Sequence, residues 1–295
     1  MTNAVFTHSP SSRYDDLPEE RYHFPRTYLN QVRETVGNWI AYYEPRRTSG
    51  PGSAHGRQAY FAVAFVQGVY PDPHRPDHYY ARLSGYFELE SPVPFREGAR
   101  YYESGLRKAD GSTNKGAFGR AVRLIDAVVL DAIIAAGTAA TLDTLLTESR
   151  EDGGYRPDIA ERPVIERVSR RAVRDVAFRG LVRQTYRNTC AFTGLTLING
   201  GGRPEVQAAH IRPVSEMGPD SVRNGLALTA TAHWMFDRGL LSVSDDFRLL
   251  LAPSGVPGEL GRMFRDDLAV WVPDDERRRP HPAYLAWHRE NVFKG

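Results

Sequence analysis

Three stretches near the start of the chain, Ala41–Tyr43, Gln58–Val66 and His78–Leu89, are rich in Tyr, Phe and Val and predict strands. Breaker-rich segments, Pro45–Gly56 and Tyr70–Pro76, separate them. The apolar period then changes. Ala117–Ala136 sets Val122, Ile125, Val129 and Ile133 on one helical face, with Gly137 as the stop, and a shorter helix covers Leu142–Ser149. Gly153–Pro163, mixing Gly, Pro and charge, marks a domain boundary. Val164–Tyr186 follows as an amphipathic helix with arginines between its apolar positions. Further on, the apolar run Val206, Ala208, Ala209 ends at His210, as a residue at a strand end would. MGPDSVRNG then reads as loop, and a helix begins at about Gly225. The C-terminal HPAYLAWHRENVF is a short amphipathic helix carrying Tyr284, Leu285 and Trp287, in which His281 and His288 are not ligands. The order of elements predicts an α+β chain without internal repeats.

Composition narrows the class. Over 295 residues, 41% are hydrophobic and 25% charged, a globular balance that excludes wholesale disorder. Cys190 stands alone, so an intrachain disulfide and a zinc site of several thiolates are both excluded. There is no apolar run of roughly 18 residues and no signal-peptide core, which predicts a soluble, cytoplasmic protein without membrane contact. Net charge is only +2, from 38 basic and 36 acidic residues. That sum hides a pattern: residues 1–150 balance at 17 of each sign, whereas residues 161–190 hold eight arginines against three acidic residues. The excess is either a nucleic-acid-facing helix or a solvated Arg face.

The chemistry concentrates in Thr189–Val243. His210 is followed fourteen residues later by Asn224, and nine later by His233, with Asp237 four beyond. His233 and Asp237, at i and i+4 of a helix, share one face and are spaced to share a cation. An imidazole accepts a proton near neutral pH, and a cation neutralises charge on a phosphate. The set AAHI, NGL and HxxFDxGL resembles the HNH nuclease family, a β-hairpin and helix around one metal ion, over roughly residues 185–250. The resemblance implies His210 as general base, Asn224 as a brace on that imidazole, and His233 with Asp237 as ligands of one divalent ion, Mg²⁺, Mn²⁺ or another transition metal. Two positions depart from the family. Ala209 stands where many members place a ligand, so Gln207 or Glu205 is a candidate donor. The thiolate pairs are missing too, so packing by Phe192, Leu195, Leu226, Trp234 and Phe236 is expected in their place.

YHFPRTYL, NWIAYYEPRR, GRQAYFAVAFV and DHYYARLSGYFELESPVPF resemble the EVE-type domain of the PUA superfamily, as fused to HNH nucleases in modification-dependent restriction enzymes. The resemblance implies a curved β-barrel with helices that takes a flipped 5-methylcytosine or 5-hydroxymethylcytosine into an aromatic pocket. Unstacking costs a few kcal/mol, and stacking on aromatic faces returns roughly 1–3 kcal/mol per base. His23, Trp39 and Tyr42 are the expected pocket members. Arg46, Arg47, Lys115, Arg120 and Arg212 are expected phosphate contacts, or else solvated charges.

These readings combine into a reader domain over 1–150, a linker and basic helix over 151–178, and an HNH domain over 179–295. The function implied is a DNA endonuclease that depends on modified cytosine, acts on double-stranded DNA and pairs as a homodimer, because one such centre cuts one strand. The alternatives are a sequence-specific HNH endonuclease that does not depend on modification, and a non-cleaving reader of modified nucleic acid with a degenerate nuclease, which Ala209 alone favours.

Overall fold

The computed structural model of the chain describes residues 2–9, 12–46, 56–139, 171–265 and 267–295. It divides into two compact units, Met1–Ala177 and Phe178–Gly295. Among the described residues, no helix is long and apolar enough to cross a membrane. The predicted Leu142–Ser149 helix, the Gly153–Pro163 boundary and the start of the basic helix fall outside the described residues.

The first unit is built on strands β1 (Asn3–Thr7), β2 (Arg21–Pro25), β3 (Trp39–Glu44), β4 (Ala59–Pro71) and β5 (His78–Pro94), with a two-residue pair β6 (Arg96–Glu97) and β7 (Arg100–Tyr101), and then β8 (Val122–Ile125). Six of them form one sheet in the order β2-β5-β4-β3-β1-β8, in which only β1 and β3 run parallel. Register shifts at Tyr42/Tyr43, Tyr60/Ala62, Val63/Phe65 and Val66/Gly68 curl the long strands. Among the described residues the outer strands β2 and β8 do not pair with each other, so the sheet is a curled half-barrel. Alternation along β3 sends Ile40 and Tyr42 into a core with Phe6, Tyr22, Phe61 and Tyr86. Ala41 and Tyr43 go to the opposite face with Tyr60, Phe87, Ile133 and Ile134.

The predicted Ala117–Ala136 helix breaks in two. Lys115–Phe118 is one helical turn, Val122–Ile125 pairs antiparallel with β1, and the helix proper runs Ala127–Gly137. The strand hides in the sequence because Arg123 is buried and paired. Its Nε and Nη2 donate to the Glu103 carboxylate at 2.7 and 2.9 Å, and the Tyr60 hydroxyl donates to the same group at 2.7 Å.

In the second unit, β9 (Gln207–His210) and β10 (Gly225–Leu228) form an antiparallel hairpin, followed directly by the helix Ala230–Asp237. A second hairpin, β11 (Leu241–Val243) with β12 (Leu249–Leu251), and the helix Pro282–Asn291 complete the unit. Gly225–Leu228 is thus strand, and the predicted helix begins five residues later than its pattern suggested. Phe192, Leu226 and Phe236 enter the core as expected, but Leu195 and Trp234 are 47% and 57% exposed. The lone Cys190 is buried and works as an acceptor: its sulfur receives the Thr229 N–H at 3.3 Å. Backbone bonds Cys190 N–H to Leu195 O and Gly194 N–H to Cys190 O close the turn that follows it.

Candidate active site

The hairpin and the helix after it position the histidines. In β9, Gln207 and Ala209 share one face, while Ala208 and His210 share the other. Ala209 is fully buried in the core with Ala232, Met235 and Phe236, so no ligand can project from it. Gln207, two residues earlier on that face, reaches the helix instead. Its Oε1 lies 2.8 Å from His233 Nδ1. Glu205 is not a donor to the site: its carboxylate accepts the Ala230 N–H at 2.9 Å, where a negative charge suits a helix N-terminus.

A carboxamide oxygen only accepts, so the ring donates from Nδ1 and keeps its lone pair on Nε2. That nitrogen faces Asp237 Oδ2 at 3.5 Å. Two bonds of about 2.1 Å span such a separation, so the pair fits a divalent cation with positions left for water and phosphate oxygens. Among the described residues no third His, Cys, Asp or Glu converges there.

His210 sits on the other face. Its ring stacks on Phe178, centroids 3.8 Å apart and planes 11° apart. Gly225, opposite His210 in the ladder, makes this possible, because a Cβ there would lie 2.6 Å from Val182 and 3.1 Å from Phe178. His210 Nε2 lies 3.1 Å from Oδ1 of Asp220, a carboxylate only 3% exposed. The imidazole's partner is therefore Asp220, a residue that spacing alone did not single out.

Asn224, expected to brace the ring, braces the loop instead. Its Oδ1 accepts from Arg212 N–H at 2.8 Å, and its Nδ2 donates to Arg212 O at 2.9 Å and Pro219 O at 3.0 Å. The same turn requires Gly218, where a Cβ would fall 1.8 Å from Arg212 O. Asn224 thereby fixes the backbone between His210 and Asp220. Arg212 itself donates from Nε to Glu216 O at 2.6 Å and lies over the Trp287 ring at 5.8 Å.

The C-terminal histidines are structural. His281 Nδ1 accepts Ala283 N–H and caps the last helix. His288 is buried, stacked on Phe236 at 3.8 Å and bonded to Ser242 and the Phe236 carbonyl, and burial pushes its pKa down to about 4.

In the first unit, the three expected pocket residues are not gathered in one place. Tyr42 is fully buried in one core, and Trp39 packs against Phe65 on the other face of the sheet. His23 lies on β2 with Asp72 Oδ2 3.0 Å from Nε2, stacked on Tyr80 at 4.5 Å, and burial lowers its pKa. Arg46, Lys115 and Arg120 are exposed, while Arg47 lies outside the described residues. A separate cavity of about 700 Å³ opens beside β8, lined by Thr27, Tyr28, Gln31, Arg120 and Arg123 among others.

Comparison with known proteins places the nuclease chemistry. Residues 190–244 match the HNH endonuclease family. No curated protein matches the chain. Among solved structures, a modification-dependent TagI restriction endonuclease is similar at 16% identity and a TM-score of 0.33, covering 97% of this chain and 81% of that one. The Type IV phosphorothioation-dependent restriction endonuclease ScoMcrA is similar at 14% identity and a TM-score of 0.20, covering 78% and 46%. At those TM-scores neither likeness bears on the fold or the chemistry. Residues 190–244, which contain the His210 hairpin and the His233 helix, form an HNH endonuclease domain, and the chain is a phosphodiester-hydrolysing enzyme.

Proposed function

We propose that this protein is a modification-dependent DNA endonuclease in which the second unit cuts and the first unit reads a modified cytosine. The observation that carries the cutting half is the division of labour between two oriented imidazoles. His210 is held by Asp220 and Phe178, and His233 is held by Gln207 and faces Asp237.

A carboxylate only accepts, so His210 donates from Nε2 to Asp220 and keeps its Nδ1 lone pair for a water proton. That water attacks phosphorus as the bond to the leaving sugar oxygen breaks, and Asp220 stabilises the imidazolium that forms. A positioned general base of this kind contributes about 10²–10⁴-fold in rate. Stacking on Phe178 fixes the plane of the ring, so the lone pair stays aimed at one point. A divalent ion on His233 and Asp237 would supply charge neutralisation at the scissile phosphate.

The reading half rests on the 700 Å³ cavity, which is ample for one extruded base. Gln31 Oε1 is a buried acceptor with no hydrogen-bond partner among the described residues, and Gln31 lines the cavity. A cytosine presents an exocyclic amine of the matching polarity. Arg120, exposed and lining the cavity, is suited to the phosphate of a flipped nucleotide. This assignment replaces His23, Trp39 and Tyr42. One such centre cuts one strand, so double-strand breaks call for two protomers.

Incubation with plasmids carrying 5-methylcytosine, 5-hydroxymethylcytosine or unmodified cytosine tests the proposal. Nicking confined to a modified plasmid is expected, whereas equal cutting of all three leaves an HNH endonuclease indifferent to modification.

A further inference from the structure

A groove of about 510 Å³ in the second unit is lined by Arg183, Leu197, Ile198, Arg203, Pro204 and Gln207. Gln207 connects it to the site, because the side chain that lines the groove also holds His233 Nδ1. The groove therefore opens one residue away from the imidazole that faces Asp237.

Its lining mixes polar side chains with two large apolar ones that stay in water. Leu197 and Ile198 are 51% and 52% exposed. They are held there by a hairpin that is hydrogen-bonded to itself rather than folded into the core. Ile198 bridges Pro204, Glu205 N–H donates to Leu197 O, and Asn199 Oδ1 accepts from the Gly201 and Arg203 N–H groups. Large apolar side chains fixed at the surface beside a catalytic centre mark a contact surface.

The charge beside those walls is positive. Arg203 is exposed and has no ion pair among the described residues, and the Arg183 guanidinium is anchored on Val206 O at 3.0 Å. Glu205 also lines the groove, but its carboxylate accepts the Ala230 N–H at the N-terminus of the helix that carries His233. Two apolar side chains beside polar groups, with a guanidinium on the rim, suit a nucleotide, whose sugar carbons and base face make apolar contact, whose base edges hydrogen-bond and whose phosphate is anionic. A groove of about 510 Å³ suits one nucleotide.

We propose that this groove seats the nucleotide next to the scissile phosphate, with its sugar and base against Leu197 and Ile198 and its phosphate on Arg203. The proposal rests on the endonuclease reading for the identity of the strand.

The test is binding of a fluorescein-labelled duplex to the full chain in EDTA, followed by cleavage of the same duplex with Mn²⁺. Arg203→Ala is expected to raise Kd about tenfold and to reduce the slope of log Kd against log salt by about one. Ile198→Ser is expected to raise Kd several-fold with an unchanged salt slope. Both side chains are exposed, so the fold survives either change. Arg203→Ala and Ile198→Ser variants that bind like wild type overturn the groove, as does an equal loss in Arg262→Ala, an exposed arginine outside it. A wild type that binds with these variant effects but cuts nothing overturns the endonuclease reading alone.

Discussion

Phe178 and His210 lie face to face, ring centroids 3.8 Å apart and planes 11° from parallel, with Gly225 beneath the contact. The stack ties the imidazole to the helix Arg171–Thr185, so the basic helix helps to form the active site as well as carrying charge. Phe178→Leu keeps most of the buried volume and should cost less than about 1.5 kcal/mol in stability. It should still lower the cleavage rate about tenfold by freeing the ring plane. Gly225→Ala drives a methyl into Val182 and Phe178, and should cost about 1–3 kcal/mol by urea denaturation together with a similar loss of rate.

Asp220→Asn keeps the shape beside His210 but removes the charge that stabilises the imidazolium, and its amide group, with one donor and one acceptor end, no longer fixes the ring's tautomer. Single-turnover cleavage should fall by about 10² or more, with duplex affinity unchanged. A variant cutting at the wild-type rate would remove Asp220 from the mechanism.

Asn224 acts on stability before it acts on rate. Asn224→Ala leaves the Arg212 N–H, the Arg212 carbonyl and the Pro219 carbonyl without their partner in a buried turn. Each orphaned group costs about 1–3 kcal/mol, so a loss of about 3 kcal/mol or more is expected in the denaturation midpoint. If its role were to touch the His210 ring, the variant would keep wild-type stability and lose only activity.

Why the sequence disclosed some of this and not the rest follows from the range of the interactions. The spacing of His210, Asn224, His233 and Asp237 is local to one hairpin and helix, and it pointed to the nuclease chemistry directly. Asp220 and Phe178 act through contacts made only once the chain has folded, and no spacing rule selects them, whereas Gln207, a candidate donor by its place beside Ala209, holds His233 Nδ1. The strand Val122–Ile125 carries a helical pattern in the sequence because Val122 and Ile125 fall in period with Val129 and Ile133, and the buried pairing of Arg123 with Glu103 makes a strand tolerable there. Aromatic richness was the right sign of a β unit but a poor guide to a pocket. Most of those rings pack a sheet that is covered on both faces.

Acid should weaken the second unit through His288. Burial holds its folded pKa at about 4, below the unfolded value of about 6.5, so the unfolded chain binds the extra proton first. The contribution is fully present above pH 6.5 and is lost as pH falls toward 4, by up to about 3 kcal/mol. Urea unfolding at pH 7, 6, 5 and 4 should show a shallower loss in His288→Leu than in wild type. Parallel curves would place the acid sensitivity elsewhere.

The division of labour between the two histidines is most directly tested by pairing Mn²⁺ calorimetry with single-turnover cleavage of a duplex that the wild type cuts. His210→Ala should bind Mn²⁺ like wild type and lose at least about 10² in rate at saturating metal. His233→Ala should lose the Mn²⁺ affinity itself. An active His210→Ala, or a His233→Ala that binds Mn²⁺ as the wild type does, would contradict the account.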